Sequence, residues 1–201
     1  MPRVTPSAAR QPAAAPQTSG QILDVAERLA QTRGFNGFSY ADIAEAMNVT
    51  KASLHYHFRG KADLGASLIE RYEKNFAIAL ASIDAATEDA GEKLRRYAAI
   101  YGTVLADNRM CLCGMLAAEF GTLPEEMRDR MRHYFDANER WLVAVLKQGK
   151  KDKTLDFKGT PADAARALVG SLEGAMMIAR SYGEPARFKS ASDRLMADLG
   201  A

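Results

Sequence analysis

The chain is poor in most of the features that announce a function at sight. In 201 residues it has two cysteines, Cys111 and Cys113. One residue apart, they are too close to staple a fold, so a reducing, cytoplasmic setting is expected. No apolar run approaches the roughly 18 to 20 residues a membrane helix needs, and no membrane partner is expected. The N-terminus is rich in Ala, Pro, Gln and Ser and has no continuous hydrophobic region, so it does not read as a secretory leader. No segment alternates between apolar and polar with period two, and no repeat is visible, which excludes a sheet-based or solenoid design. Charge of one sign is also scarce, with 27 Lys+Arg against 25 Asp+Glu.

What is present is a core and a helical rhythm. Hydrophobic residues make up 47% of the chain, enough to pack one large domain or two modest ones and too many for global disorder. The charge is unevenly placed. Residues 1–65 hold seven basic and five acidic side chains, so the whole excess of +2 lies in the first third. Residues 1–18 (MPRVTPSAARQPAAAPQT) have no core-forming pattern and are expected to form a disordered arm, with Arg3 and Arg10 free to touch a polyanion. Helical periodicity begins at Ser19, where Ile22, Val25, Ala26, Leu29 and Ala30 mark an amphipathic helix ending near Gly34. Ser39 and Thr50 then cap two short helices, with Ile43, Ala44 and Met47, and Leu54 and Phe58, facing inward. A long helix follows Gly60, with a stripe of Leu64, Leu68, Ile69, Tyr72, Phe76 and Leu80. Further helices are predicted over 91–107, 111–121, 124–148 and 161–181, with a last one to residue 199 and a Lys-rich loop over 147–158. The expected fold is all-α. An N-terminal three-helix unit (19–65) would precede a larger helical domain (66–201).

Residues 39–61 read SYADIAEAMNVTKASLHYHFRGK. Two capped helices separated by a break at Met47–Val49 form the pattern of a helix-turn-helix. Once Leu54 and Phe58 face inward, the second helix presents Lys51, Ala52, Ser53, His55, Tyr56 and His57. Small residues, hydroxyls, imidazoles and an ammonium suit close approach to base edges and phosphates in a major groove. Thr50 and Lys61 sit at helix starts, where backbone amides favour phosphate. An ordinary helical hairpin with aromatic core residues fits the same pattern.

The stretch Ile22–Leu64 resembles the DNA-binding domain of the TetR family of transcriptional regulators. The resemblance is carried by Gly34-Phe35, by Ser39 with Ile43-Ala44, by Val49-Thr50-Lys51-Ala52-Ser53-Leu54, by Tyr56-His57-Phe58 and by Lys61-Ala62-Asp63-Leu64. It implies that Lys51, Ala52 and Ser53 face bases, and that Tyr56, His57 and Lys61 grip the backbone with help from Ser39 and Tyr40. His55 stands where the family usually has Tyr, which leaves the group read there open. The implied activity is sequence-specific, ligand-responsive binding of double-stranded operator DNA, most simply as a repressor released by a small-molecule inducer, with no enzymatic role and no cofactor.

A short recognition helix buries too little surface alone, so a homodimer is expected. Its face is assigned to the 161–181 helix, with a stripe of Leu168, Leu172, Ala175 and Ala179 beside flat Gly170, Ser171 and Gly174. The last helix, with Phe188, Leu195 and Leu199, would complete it. For the inducer pocket the candidates are Tyr97, Tyr101, Cys111, Met115, Met131, Tyr134, Asn138, Trp141, Glu173, Met176 and Met177, an aromatic and methionine lining with two polar groups. Each also fits plain core packing.

Cys111-Leu112-Cys113 lies near Arg109 and a helix start, a setting that lowers a thiol pKa. The segment Cys111–Glu119 resembles one that, in some family members, opens with a cysteine sensing electrophiles or oxidants. A thiol-based sensor is therefore a second reading beside inert packing. Metal ligation by Cys111, Cys113 and His133 lacks a fourth ligand, and a thiol enzyme lacks a well-placed base. A helical protein-interaction module leaves the recognition helix unexplained.

Overall fold

The computed structural model describes residues 19–201, and the expected N-terminal arm with Arg3 and Arg10 lies outside them. Nine α-helices and no strand occur among the described residues: α1 (Ser19–Arg33), α2 (Tyr40–Met47), α3 (Lys51–His57), α4 (Lys61–Ala86), α5 (Ala90–Ala106), α6 (Leu112–Ala118), α7 (Glu125–Asp152), α8 (Pro161–Tyr182) and α9 (Pro185–Leu199). The fold is all-α, and no described helix is long and apolar enough to cross a membrane.

Local chemistry sets the boundaries. Ser39 opens α2 with a capping box: its hydroxyl accepts from the Ala41 amide, and Asp42 accepts from the Ser39 amide at 2.8 Å. Asn48 closes α2 in the left-handed region. Pro161 occupies the first turn of α8, where its missing N–H costs nothing, and Gly183 ends that helix at φ +66°. One expected boundary moved. Helix α7 runs four residues beyond Gln148 through Lys150 and Lys151, so the Lys-rich segment is partly helical. Lysine is a good helix former and is favoured in a last turn by the helix dipole. Gly149 is buried there against Leu155 and Ala90, which fastens the extension.

Helices α1–α3 pack around Ile22, Ala26, Ala30, Ile43, Leu54 and Phe58, all buried. Helix α4 joins this unit to the rest, carrying Leu64, Leu68, Ile69, Tyr72, Phe76 and Leu80 inward along its length. Arg71 clamps α4 to α1, donating to Asp24 at 2.6 Å and to Glu27 at 2.7 Å. Helix α8 packs on α7 and α9, and α9 also packs on α5.

The expected dimer face needs correction. Leu168, Leu172 and Ala179 are buried within the chain, as are Phe188 and Leu199. Helical periodicity identified a stripe, and the stripe packs on α7 and α9 instead of facing out. The neighbouring flat surface is the open one: Gly170, Gly174, Ile178 and Tyr182 recur every four residues, with Ile178 58% and Tyr182 60% exposed. A Cβ placed at Gly170 or Gly174 would meet nothing within 4 Å.

Candidate nucleic-acid interface and sensor core

Helix α3 is held by its capped start and by two inward side chains, and its other face turns outward. The Thr50 hydroxyl accepts from the Ser53 amide at 3.3 Å, and Leu54 and Phe58 are buried. Lys51, Ala52, His55 and Tyr56 are exposed, while Ser53 and His57 are half-buried. Tyr56 is 87% exposed although its ring meets that of His57 edge-on at 5.2 Å, a costly position for a large aromatic. His55 and Tyr40 brace each other, with ring centroids 4.7 Å apart. His55 Nδ1 lies 3.2 Å from the Arg59 carbonyl, and the Tyr40 hydroxyl donates to the Phe58 carbonyl at 3.1 Å. Burial, then the nearby Asp63 carboxylate, pushes the Tyr40 phenol up to about 12. Ser39 spends its hydroxyl on the cap and on Asp42, and those hydrogen bonds hold Asp42 below the usual carboxylate range. Ser39 and Tyr40 thus position α2 and α3 through contacts inside the chain.

Lys61 departs from the expected phosphate role. Its ammonium donates to the carbonyls of Phe35 and Phe38 and lies 4.7 Å and 4.4 Å from the centroids of their rings. Burial lowers its pKa, partly offset by Glu119 and Asp42. The loop after α1 turns its carbonyls toward the start of α4, and the lysine there satisfies two of them with two of its three donors.

That same loop is tied to the C-terminal helices, a link no periodicity reveals. Glu119, which ends α6, accepts from the Phe35 amide at 2.8 Å and the Asn36 amide at 3.2 Å. Gly34 makes room for it: φ is +85°, and a Cβ would lie 2.5 Å from the Glu119 carboxylate. Arg180 of α8 donates to the carbonyls of Gln31 and Thr32, and Arg109 donates to the Gln31 side chain at 3.1 Å. The available signal is Arg180 directly after the apolar run Ala175–Ala179 of α8, and Gln31 directly after Ala30 in the stripe of α1.

Several expected pocket residues converge behind this joint. The Tyr97 and Tyr101 hydroxyls are 3.0 Å apart, and Tyr97 donates to Asn138 Oδ1 at 3.5 Å. Asn138 in turn donates to the Tyr134 carbonyl at 3.3 Å. Trp141 stacks on Tyr97 with centroids 5.6 Å apart and donates to Asp84 at 2.9 Å. Met131 is buried, and Met115 is half-buried with its sulfur 3.9 Å from Arg180. Tyr72, Phe76, Ile100, Tyr101, Val104, Cys111 and Met176 line a narrow crevice that is closed even to a water molecule. Of the expected pocket residues Tyr101, Cys111 and Met176 line it. Tyr72 and Phe76 had been read as core stripe, which they are as well. Met177 is corrected outright: it is 52% exposed, because it falls one residue past the inward Met176 on α8. A larger groove of about 620 Å³ lies elsewhere, between α5 and α9, beside Gly102, Phe188 and Met196.

The thiols also differ from expectation. Cys111 and Cys113 are free and buried, and burial followed by neighbouring charge pushes both pKa values well up. Arg109 does not activate them, because its guanidinium is held by Asp107 at 2.7 Å and by Gln31. The sulfur of Cys111 instead receives the Tyr72 hydroxyl at 3.7 Å and lies 3.8 Å from the Tyr134 hydroxyl. Glu173 is the charged neighbour. Both its carboxylate oxygens are buried without a hydrogen bond of normal geometry, and burial pushes its pKa up to about 7 against the opposing pull of the Cys111 thiol beside it. His133 lies on the exposed side of α7, away from the buried thiols.

Comparison with known proteins agrees with this architecture. Residues 22–68 match the model of bacterial regulatory proteins of the tetR family, and residues 90–195 match a tetracyclin repressor-like C-terminal domain. A TetR-family regulator from Agrobacterium tumefaciens has a similar solved structure, with a TM-score of 0.87 and 32% identity over 91% of this chain and 97% of that one. The HTH-type transcriptional repressor NemR of Escherichia coli is 29% identical over 82% of this chain and 86% of its own length. The crystal structure of the reduced form of E. coli NemR shares the fold, with a TM-score of 0.78, 24% identity, and coverage of 91% of this chain and 97% of that one. The chain belongs to the TetR family of DNA-binding transcriptional regulators.

Proposed function

We propose that the protein is a homodimeric repressor released from its operator by a small molecule that acts at the crevice behind α4. The carrying observation is the outward surface of α3, where Lys51, Ala52, Ser53, Tyr56 and His57 are presented beside exposed His55. Lys51, Ala52 and Ser53 are assigned to base edges, and Tyr56 and His57 to phosphates, with Thr50 fixing the helix start. Residues 19–65 form the reader and 66–201 the sensor and dimer unit. The open face of α8, with Gly170, Gly174, Ile178 and Tyr182, lets two helices approach closely and is assigned to the dimer. The repressor sense rests on NemR, whose name describes a repressor.

Release follows from the joint between the two units. The crevice is closed, so an occupant enters only by displacing Tyr72 and Phe76 of α4 and Cys111 at the start of α6, and both elements reach the reader: α4 directly, α6 through Glu119. The occupant shifts the population only if it binds the released geometry more tightly. A gel shift with the chain's own promoter region at two salt concentrations tests the reading. Salt-sensitive, sequence-selective binding by a dimer is expected, and absence of binding refutes it.

A second reading concerns how the signal is sensed. Cys111 lines the crevice, so the signal is a covalent change at its thiol. The similar NemR structure is described as a reduced form, which marks redox state as meaningful for that protein.

A further inference from the structure

Glu173 is the least explained charged group among the described residues. It sits on α8 with both carboxylate oxygens buried and without a hydrogen bond of normal geometry. A Cβ at Gly114 would lie 2.2 Å from its Oε2, so the glycine in α6 leaves the space its carboxylate fills. The titratable groups acting around it are Cys111, Cys113, Tyr97 and Tyr101, from α5 and the start of α6. Arg180, two turns further along α8, is committed to the carbonyls of Gln31 and Thr32. An unpaired buried carboxylate is expensive, and it persists where it has a use other than packing.

We propose that Glu173 is the proton acceptor of the Cys111 thiol, so that the pair adds this sulfur to a small uncharged α,β-unsaturated carbonyl compound that enters by opening the crevice. The inference rests on the thiol reading above and deepens it. A deeply buried thiol does not ionise by itself at neutral pH, so the nucleophile needs a base within reach. Glu173, titrating near 7, is matched to that task. The Cys111 S–H proton passes to the Glu173 carboxylate as Sγ bonds to the β-carbon. The alkene electron pair moves onto the carbonyl oxygen, and Glu173 returns the proton to the α-carbon. Nothing is oxidised or reduced. The Tyr72 hydroxyl, donating to Sγ at 3.7 Å, steadies the negative charge on sulfur during the transfer. The same carboxylate repels an anion, so a charged acrylic acid is disfavoured against its neutral ester.

The test treats the full-length protein with methyl acrylate and with sodium acrylate from pH 5.5 to 8.5. Adducts are located by peptide mass mapping, and the two probes are compared at each pH after division by their rates with 2-mercaptoethanol, while the pH profile is read from the undivided rates. One methyl acrylate adduct is expected, on Cys111. Its rate should rise with pH and level off near 7, and Glu173→Gln should lower it by at least about tenfold while removing the plateau. Methyl acrylate should outrun acrylate in the wild type, and this preference should shrink in Glu173→Gln. Equal Cys111 rates in wild type and Glu173→Gln, or a preference for acrylate, overturn the inference alone. If Cys111 of the wild type takes up neither probe, the thiol reading falls and the inference with it. The wild-type pH profile and probe preference hold the proposal to account even if Glu173→Gln folds poorly.

Discussion

Tyr56 and Tyr97 show how differently the two ends of the chain use one residue type. Tyr56 stands on the short helix α3 with 87% of its surface in water, whereas Tyr97 on α5 is fully enclosed. The first contributes little to holding the monomer together, and packing inside the chain does not account for its position, which the proposed contact with DNA would. The second is stacked on Trp141 and bonded to Tyr101 and Asn138, so its position is explained by neighbours inside it. Function written on an exposed surface leaves a compositional mark, because packing does not account for it. Function written inside a core uses the same aromatics and methionines that packing uses.

The sharpest way to break this contrast lies at the sensor end. The native state holds Glu173 protonated up to about 7, against an ordinary value of 4.5 that the unfolded chain keeps. The folded form therefore binds the extra proton between those values, and stability falls as pH rises through them, by about 3 kcal/mol in full. Glu173→Gln should remove that loss. Urea unfolding should find the variant more stable than wild type at pH 8, with the gap closing toward pH 5. A gap independent of pH would place the raised titration elsewhere.

A smaller effect is expected at the joint. Lys61→Ala should cost about 1–3 kcal/mol, because two loop carbonyls lose a charged donor and two rings lose a cation. The salt dependence of DNA binding should stay unchanged. A slope reduced by about one unit would return Lys61 to the phosphate backbone.

The smallest change in stability belongs to the reader. Tyr56→Ala should alter unfolding by less than about 0.5 kcal/mol while weakening promoter binding about tenfold or more. Loss of stability with unchanged DNA affinity would erase the distinction between the two tyrosines.

Much of the reader was legible because it is local. Ser39 and Thr50 announced their caps, Leu54 and Phe58 their inward faces, and the rest of α3 followed by subtraction. The sensor was legible only as a stripe. Residues such as Tyr101 and Met176 proved to line the crevice, while Met177, one position on, turned outward. At 100° per residue a shift of one position moves a side chain across the helix surface, and a sequence does not state where the neighbouring helix lies.

The sequence by itself determined the helices, the bipartite order and the excess charge of the first third, since caps, periodicity and composition act over a few residues. Only the tertiary structure decided that Lys61 caps carbonyls, that Glu119 and Arg180 bind the sensor to the reader, and that Glu173 lies unpaired beside Cys111. Each of those depends on groups tens of residues apart meeting at a few ångströms, where burial and charge take their effect. The net +2 records none of this, because a sum over the chain discards position.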